Sequence, residues 1–169
     1  MSTPISASAL TPFQAVDTNQ PEAREPNARY WVQMAPRATL VDSCVLIDVL
    51  ADDPKWAEWS ISQLEACAQV GPLVINPIIL AEISPRFECV ADLELALEGL
   101  PLVREVLPWD AAFLSGQAFK AYRQVQGAKT SPMPDFYIGA HALVGNLQLL
   151  TRDSTRYRNY FPRLTLVAP

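Results

Sequence analysis

The sequence predicts an α/β fold on a mainly parallel sheet, and three observations point to it. Short apolar segments alternate along the chain with longer segments that open on helix-capping residues. The composition is half hydrophobic and only 18% charged, enough for a core and unlike a chain that stays disordered. Four acidic residues, Asp42, Glu82, Asp135 and Asp153, each stand at the end of a strand-like or helix-starting segment, among the most apolar parts of the chain.

The elements follow in order. Residues 38–41 are a short apolar strand, and 45–50 a helix around Asp48. Asp53-Pro54 supplies a cap and a proline suited to a first helical turn. The helix it opens carries Trp56, Trp59, Leu64, Cys67 and Val70 on one stripe and stops at Gly71. Residues 73–75 form the second strand. Asn76-Pro77 repeats the cap-plus-proline start for a short helix that bears Glu82 and ends at Pro85. Residues 91–100 read as helix and 103–107 as strand. Asp110 caps a long helix bearing Phe113, Leu114, Ala118, Ala121 and Val125, which ends at Gly127. Asp135 opens a helix closing at Gly145-Asn146, and strands follow at 147–150 and 164–167. Such alternation implies parallel strands joined by helical crossovers. Sites in such sheets form beyond the carboxyl ends of the strands, where Asp42 and Asp153 stand.

At 169 residues the chain is one domain with a tail. Residues 1–36 are punctuated by Pro4, Pro12, Pro21, Pro26 and Pro36 and show no sustained period. They read as a flexible extension, or as a mis-assigned start upstream of Met34, before a domain over 37–169. No basic residue precedes Arg24 and no apolar core follows the first methionine, unlike a secretory signal. No apolar run approaches the roughly 18 residues of a membrane span. Cys44, Cys67 and Cys89 form no paired framework and read as small buried hydrophobes in a reducing cytoplasm.

Clustered carboxylates repel and call for a cation, and oxygen-only donors suit Mg²⁺ or Mn²⁺. Phosphodiester hydrolysis needs an activated water and neutralised phosphate charge, which bound metal supplies. Asp42 is the first choice for a ligand, with Asp135 and Asp153 beside it. Glu82 is placed either to bind metal, directly or through water, or to orient the attacking water. Ser43 and Thr151 are hydroxyls able to hold a ligand carboxylate or water. Arg152 either touches the substrate phosphate or offsets the acids.

The four motifs, Val41-Asp42-Ser43, Asn76-Pro77 through Glu82, Pro134-Asp135-Phe136-Tyr137 and Leu150-Thr151-Arg152-Asp153, resemble in order those of the PIN-domain nucleases. They are closest in kind to the ribonuclease toxins of VapBC toxin–antitoxin pairs. The resemblance spans 38–169. It implies a three-layer α/β/α domain and a metal-dependent endoribonuclease that forms homodimers and binds a cognate antitoxin. Ser154, Thr155 and Arg156 stand where many members carry a further acid, leaving a second metal position with fewer carboxylates.

Charge distribution fits an RNA partner. Residues 120–169 hold seven basic and two acidic residues, while 1–119 carry −10. Arg152, Arg156 and Arg158 are the candidate phosphate contacts, and Tyr157 and Tyr160 among them are able to stack on bases. His141, the single histidine, lies about 240° around its helix from Asp135 at 100° per residue, which argues against a histidine-based mechanism. Asp48 reads as structural or as a support to the acids, and Cys44, with no base near it in sequence, as packing. A catalytically silent RNA-binding or assembly module is the alternative, and retention of four repelling acids argues against it. A phosphatase-like acidic pocket is disfavoured because Cys44 stands where a second Asp would be. Deletion of residues 1–33 is expected to leave the melting temperature and any cleavage nearly unchanged. A large drop in melting temperature would show that Tyr30-Trp31-Val32 docks on the domain.

Overall fold

The computed structural model describes residues 37–125 and 128–169. The expected extension over 1–36 and the helix end expected at Gly127 lie outside the described residues. The chain runs β1 (Thr39–Val41), α1 (Ser43–Leu50), α2 (Ala57–Val70), β2 (Leu73–Ile75), α3 (Pro77–Ile83), a 3₁₀ turn (Ser84–Arg86) and α4 (Val90–Leu97). It continues through β3 (Leu102–Arg104), α5 (Trp109–Gln124), α6 (Pro134–Val144), β4 (Gln148–Leu150), α7 (Ser154–Tyr160) and β5 (Leu166–Val167).

All strand pairs are parallel, in the order β3-β2-β1-β4-β5, with Leu40 of β1 registered against Val74 on one side and Leu149 on the other. Successive residues of a strand face opposite sides of the sheet. Every residue of β1 and β2 is buried, as are Leu149 and Leu150 of β4, so both faces are covered by helices. This is the expected three-layer α/β/α arrangement. From β1 the chain builds outward through β2 to β3, then returns to place β4 on the other side of β1. The reversal leaves a crevice at the carboxyl ends of β1 and β4, where such sheets hold their sites.

Local chemistry starts the helices as expected in two places. The Asn76 side chain accepts from the backbone N–H groups of Ile78 (2.9 Å) and Ile79 (3.0 Å), with Pro77 in the first turn. Asp53 accepts in the same way from Lys55 and Trp56, one turn ahead of α2. Elsewhere the structure corrects the sequence. Val70 is exposed, and the buried face of α2 is Ala57, Ser60, Leu64 and Cys67. On α5, Phe113 and Val125 face solvent and Ala111, Ser115 and Ala118 face inward, because small side chains let α5 lie close along α6. Asp110 sits inside the first turn of α5, after an N-cap at Pro108, where its charge still favours the helix dipole. The strand expected over 103–107 stops at Arg104 and leaves Val106 exposed, and Cys89 is exposed, unlike the buried Cys67. Helix α7 was not expected at all.

Tyr122, Phe136 and Tyr160 join α5, α6 and α7 through edge-on ring contacts of 5.1–6.2 Å. Helix α7 and the turn after it approach α6 at Gly139. A Cβ built there would lie 2.6 Å from the Phe161 ring and 3.1 Å from the Tyr157 ring. Gly139→Ala is therefore expected to destabilise the protein by about 1–3 kcal/mol through overpacking, read by urea denaturation. An unchanged unfolding midpoint would show that the Phe161 ring moves aside freely.

Candidate functional site

The site grows from the end of β1. Asp42 follows the strand directly and stands at the N-cap position of α1, yet its side chain makes no capping bond. The Asp42 N–H instead bonds Leu150 O of β4 (2.9 Å), and the carboxylate, only 4% exposed, turns to the end of β4. One oxygen, Oδ2, accepts from Thr151 Oγ1 (2.6 Å), Tyr157 OH (3.1 Å) and, weakly, Cys44 Sγ (3.5 Å). Ser43 Oγ donates to Glu82 Oε2 at 2.8 Å and lies 3.5 Å from Asp42 Oδ1, so the first and second acidic motifs meet through one hydroxyl.

The charge of Asp135 is felt at both Asp42 and Glu82. Burial pushes the Asp42 carboxyl up, and the charge of Asp135 adds to the rise against the lowering hydrogen bonds from Thr151 and Tyr157. Glu82 is pushed up by burial and then by the charges of Asp42 and Asp135, with the Ser43 bond opposing. The Cys44 thiol is pushed up to about 11 by burial and by Asp42, so it remains a thiol and not a nucleophile. Asp135, in the first turn of α6 and half-buried, is paired with Arg156. Burial alone would lower the Arg156 pKa, but the charge of Asp135 and its hydrogen bond raise it.

Asp153 differs from the other three. It is exposed, its backbone N–H donates to Thr151 Oγ1 (3.1 Å), and its charge is felt at Arg156. Thr151, fully buried, thus ties Asp42 to the loop that carries Asp153. Arg152 meets Asp48 and the Trp56 ring. Its guanidinium lies 3.4 Å from Asp48 Oδ1 and 5.3 Å over the Trp56 ring, while Ser60 Oγ donates to Asp48 Oδ2 at 2.9 Å. Asp48, 1% exposed, has its charge balanced there. Arg158 is exposed. Tyr157, read from sequence as a base-stacking residue, is 1% exposed and bonded to Asp42. The one available signal was its position midway between Arg156 and Arg158, and that pointed to the surface.

His141 joins the two helices that carry Glu82 and Asp135. Asn76 Oδ1 is occupied by the N–H groups of α3, so its amide nitrogen faces His141 Nδ1 at 3.0 Å. Nδ1 therefore accepts, and the ring proton sits on Nε2, 3.3 Å from Glu105 Oε2. Burial holds the His141 pKa below its usual value, with Glu105 pulling the other way.

Among the described residues, no group of three or more His, Cys, Asp or Glu forms a ready-made metal cage. The acids are all oxygen donors, and the charge of Asp135 raises the pKa of Asp42 while Asp42 and Asp135 raise that of Glu82, a repulsion of the kind a hard divalent cation relieves. No helix among the described residues is long and apolar enough to cross a membrane.

Residues 39–162 match the PIN domain family. No curated protein matches the sequence. Among solved structures, the chain is similar to VapBC2 from Rickettsia felis bound to a DNA fragment from their promoter, with TM-score 0.61 and 18% identity over 78% of this chain and 98% of that one. It is similar to VapBC-1 from nontypeable Haemophilus influenzae, with TM-score 0.55 and 21% identity over 78% and 97% of the two chains. A toxin–antitoxin complex from Klebsiella pneumoniae matches with TM-score 0.53 and 22% identity over 76% and 95%. At these identities the likeness is one of fold.

The His141 bridge carries a pH dependence. With its folded pKa below the unfolded value of about 6.5, the unfolded chain binds the proton first. Stability from neutral His141 is full above that pH and is lost as pH falls through it. His141→Gln is expected to lose less unfolding free energy than wild type between pH 7.5 and pH 5.5, by urea denaturation at each pH. Equal losses in the two proteins would show that His141 does not titrate in the fold.

Proposed function

The chain belongs to the PIN-domain family, and on that premise we propose that it is a metal-dependent endoribonuclease, the toxin half of a VapBC-type toxin–antitoxin pair. PIN domains are generally nucleases. The observation that carries the proposal is the convergence of Asp42, Glu82 and Asp135 at the crevice between β1 and β4, each carboxylate half-buried or more. Holding charges there costs stability, which a merely structural role does not explain and a binding-only module would shed. The likeness to VapBC and toxin–antitoxin complexes supports an antitoxin partner, and the proposal extends to a homodimer in a cytoplasmic setting.

In this reading Asp42 and Asp135, with Asp153 as a third donor from the loop after β4, would hold Mg²⁺ or Mn²⁺, which would supply neutralisation of phosphate charge and a water of lowered pKa. Glu82, its pKa raised by burial and by its acidic neighbours, accepts the proton of the attacking water, and Ser43 fixes its carboxylate through the 2.8 Å bond. Thr151 holds Asp42 from β4. Arg156 beside Asp135 and the exposed Arg158 lie on α7, where they meet the RNA backbone. Arg152, held by Asp48 and Trp56, secures the Thr151–Asp153 loop.

Asp42→Asn keeps the shape and removes the charge. With structured RNAs and Mg²⁺ or Mn²⁺, its cleavage rate is expected to fall by more than about 100-fold, beyond the loss typical of a supporting residue. Without metal its unfolding midpoint is expected to rise, since a buried charge is gone. Mn²⁺-dependent turnover equal to wild type would remove Asp42 from the metal site and sink the proposal.

A further inference from the structure

The hydrogen bonds around Asp42 treat its two oxygens unequally. Oδ2 receives Thr151 Oγ1 at 2.6 Å and Tyr157 OH at 3.1 Å, with the Cys44 thiol at 3.5 Å. These donors come from the end of β4, from α7 and from α1. Among the described residues, the one hydroxyl near Oδ1 is Ser43 Oγ at 3.5 Å, and its single proton goes to Glu82 at 2.8 Å. The carboxylate is therefore turned so that Oδ2 is consumed by the protein and Oδ1 is left to accept from, or coordinate, something else.

We propose that Tyr157 is a positioning residue for Asp42, whose hydroxyl, together with that of Thr151, locks Oδ2 and presents Oδ1 to the divalent cation. The inference rests on the metal-nuclease reading above. Tyr157 suits the task. Its ring is fully buried, so the hydroxyl cannot swing to water, and it arrives from the helix that follows the fourth acidic motif. Gly139 makes the approach possible, since a side chain there would meet the Tyr157 and Phe161 rings. A phenol has one proton to donate, and here the carboxylate 115 residues away receives it. The competing account is simple core packing, in which the ring fills volume and the hydroxyl merely finds the nearest acceptor.

Tyr157→Phe separates the two, because it removes the hydroxyl and keeps the ring. Tyr160→Phe, on the same helix and outside the Asp42 hydrogen bonds, is the control. Mg²⁺ and Mn²⁺ binding to the full chain is measured by titration calorimetry, and RNA cleavage is followed across metal concentration. The expected result for Tyr157→Phe is about a 10-fold weaker metal Kd, within the range for groups that orient a ligand. Turnover should recover toward wild type at saturating metal, and Tyr160→Phe should bind metal as wild type does. A Tyr157→Phe protein that binds metal with wild-type affinity would overturn the inference and leave the nuclease reading standing. Wild-type protein that binds neither metal would overturn that reading and the inference with it.

Discussion

Burial of one carboxylate, Asp42, at the end of the central strand is the constraint on which the rest of the site depends. A charge that loses its water must be met by donors or it forces the fold apart or loses its proton. The protein meets it with side chains from three elements: Thr151 after β4, Cys44 on α1 and Tyr157 on α7. Each of these has to be brought to a single oxygen. The parallel pairing of β1 with β4 delivers Thr151, since Val41 is registered against Leu150. Delivery of Tyr157 needs α7 to close on α6, which in turn needs the bare backbone of Gly139. The burial of one carboxylate thus reaches into the packing of two helices.

The same constraint organises the charges around it. The chain is acidic overall at −5, and its positive excess lies in the C-terminal part. Two of the cations there are drawn inward by acids: Arg156 pairs with Asp135, and Arg152 with the buried Asp48. The pairs differ in consequence. Arg156 offsets a carboxylate of the site while remaining partly open to solvent. Arg152 pairs with Asp48, lies over the Trp56 ring and ties the loop bearing Thr151 and Asp153 to α1 and the turn before α2. The basic character read from composition is real, but part of it acts on the protein's own acids before any substrate is present.

Several features were legible because their causes are local. Asn76-Pro77 starts a helix by side-chain capping and a fixed proline φ, and the structure shows both. The central strands were legible because burial on both faces requires unbroken apolar residues. Helix α7 was not legible: Ser-Thr-Arg-Tyr-Arg-Asn-Tyr has no apolar stripe, and its one buried residue is anchored by a partner far away in sequence. The inward face of α5 was read only in part, with Ala118 on it but Ala111 and Ser115 missed, because proximity to α6 selects small residues over large ones and leaves Phe113 outside.

The sequence by itself determined the alternation of strands and helices, the parallel sheet that alternation requires, and the placing of acids at element ends, since period, capping and burial all act within a few residues. Only the tertiary structure decided which acids meet. Glu82 reaches Ser43, next to Asp42, across 39 positions, and Thr151 reaches Asp42 across 109. Those encounters depend on strand order and on the reversal beside β1, which no local pattern encodes. The partner of Arg152 and the inward turn of Tyr157 were settled the same way, because a side chain's partner is chosen by whatever the folded chain brings within about 3 Å of it.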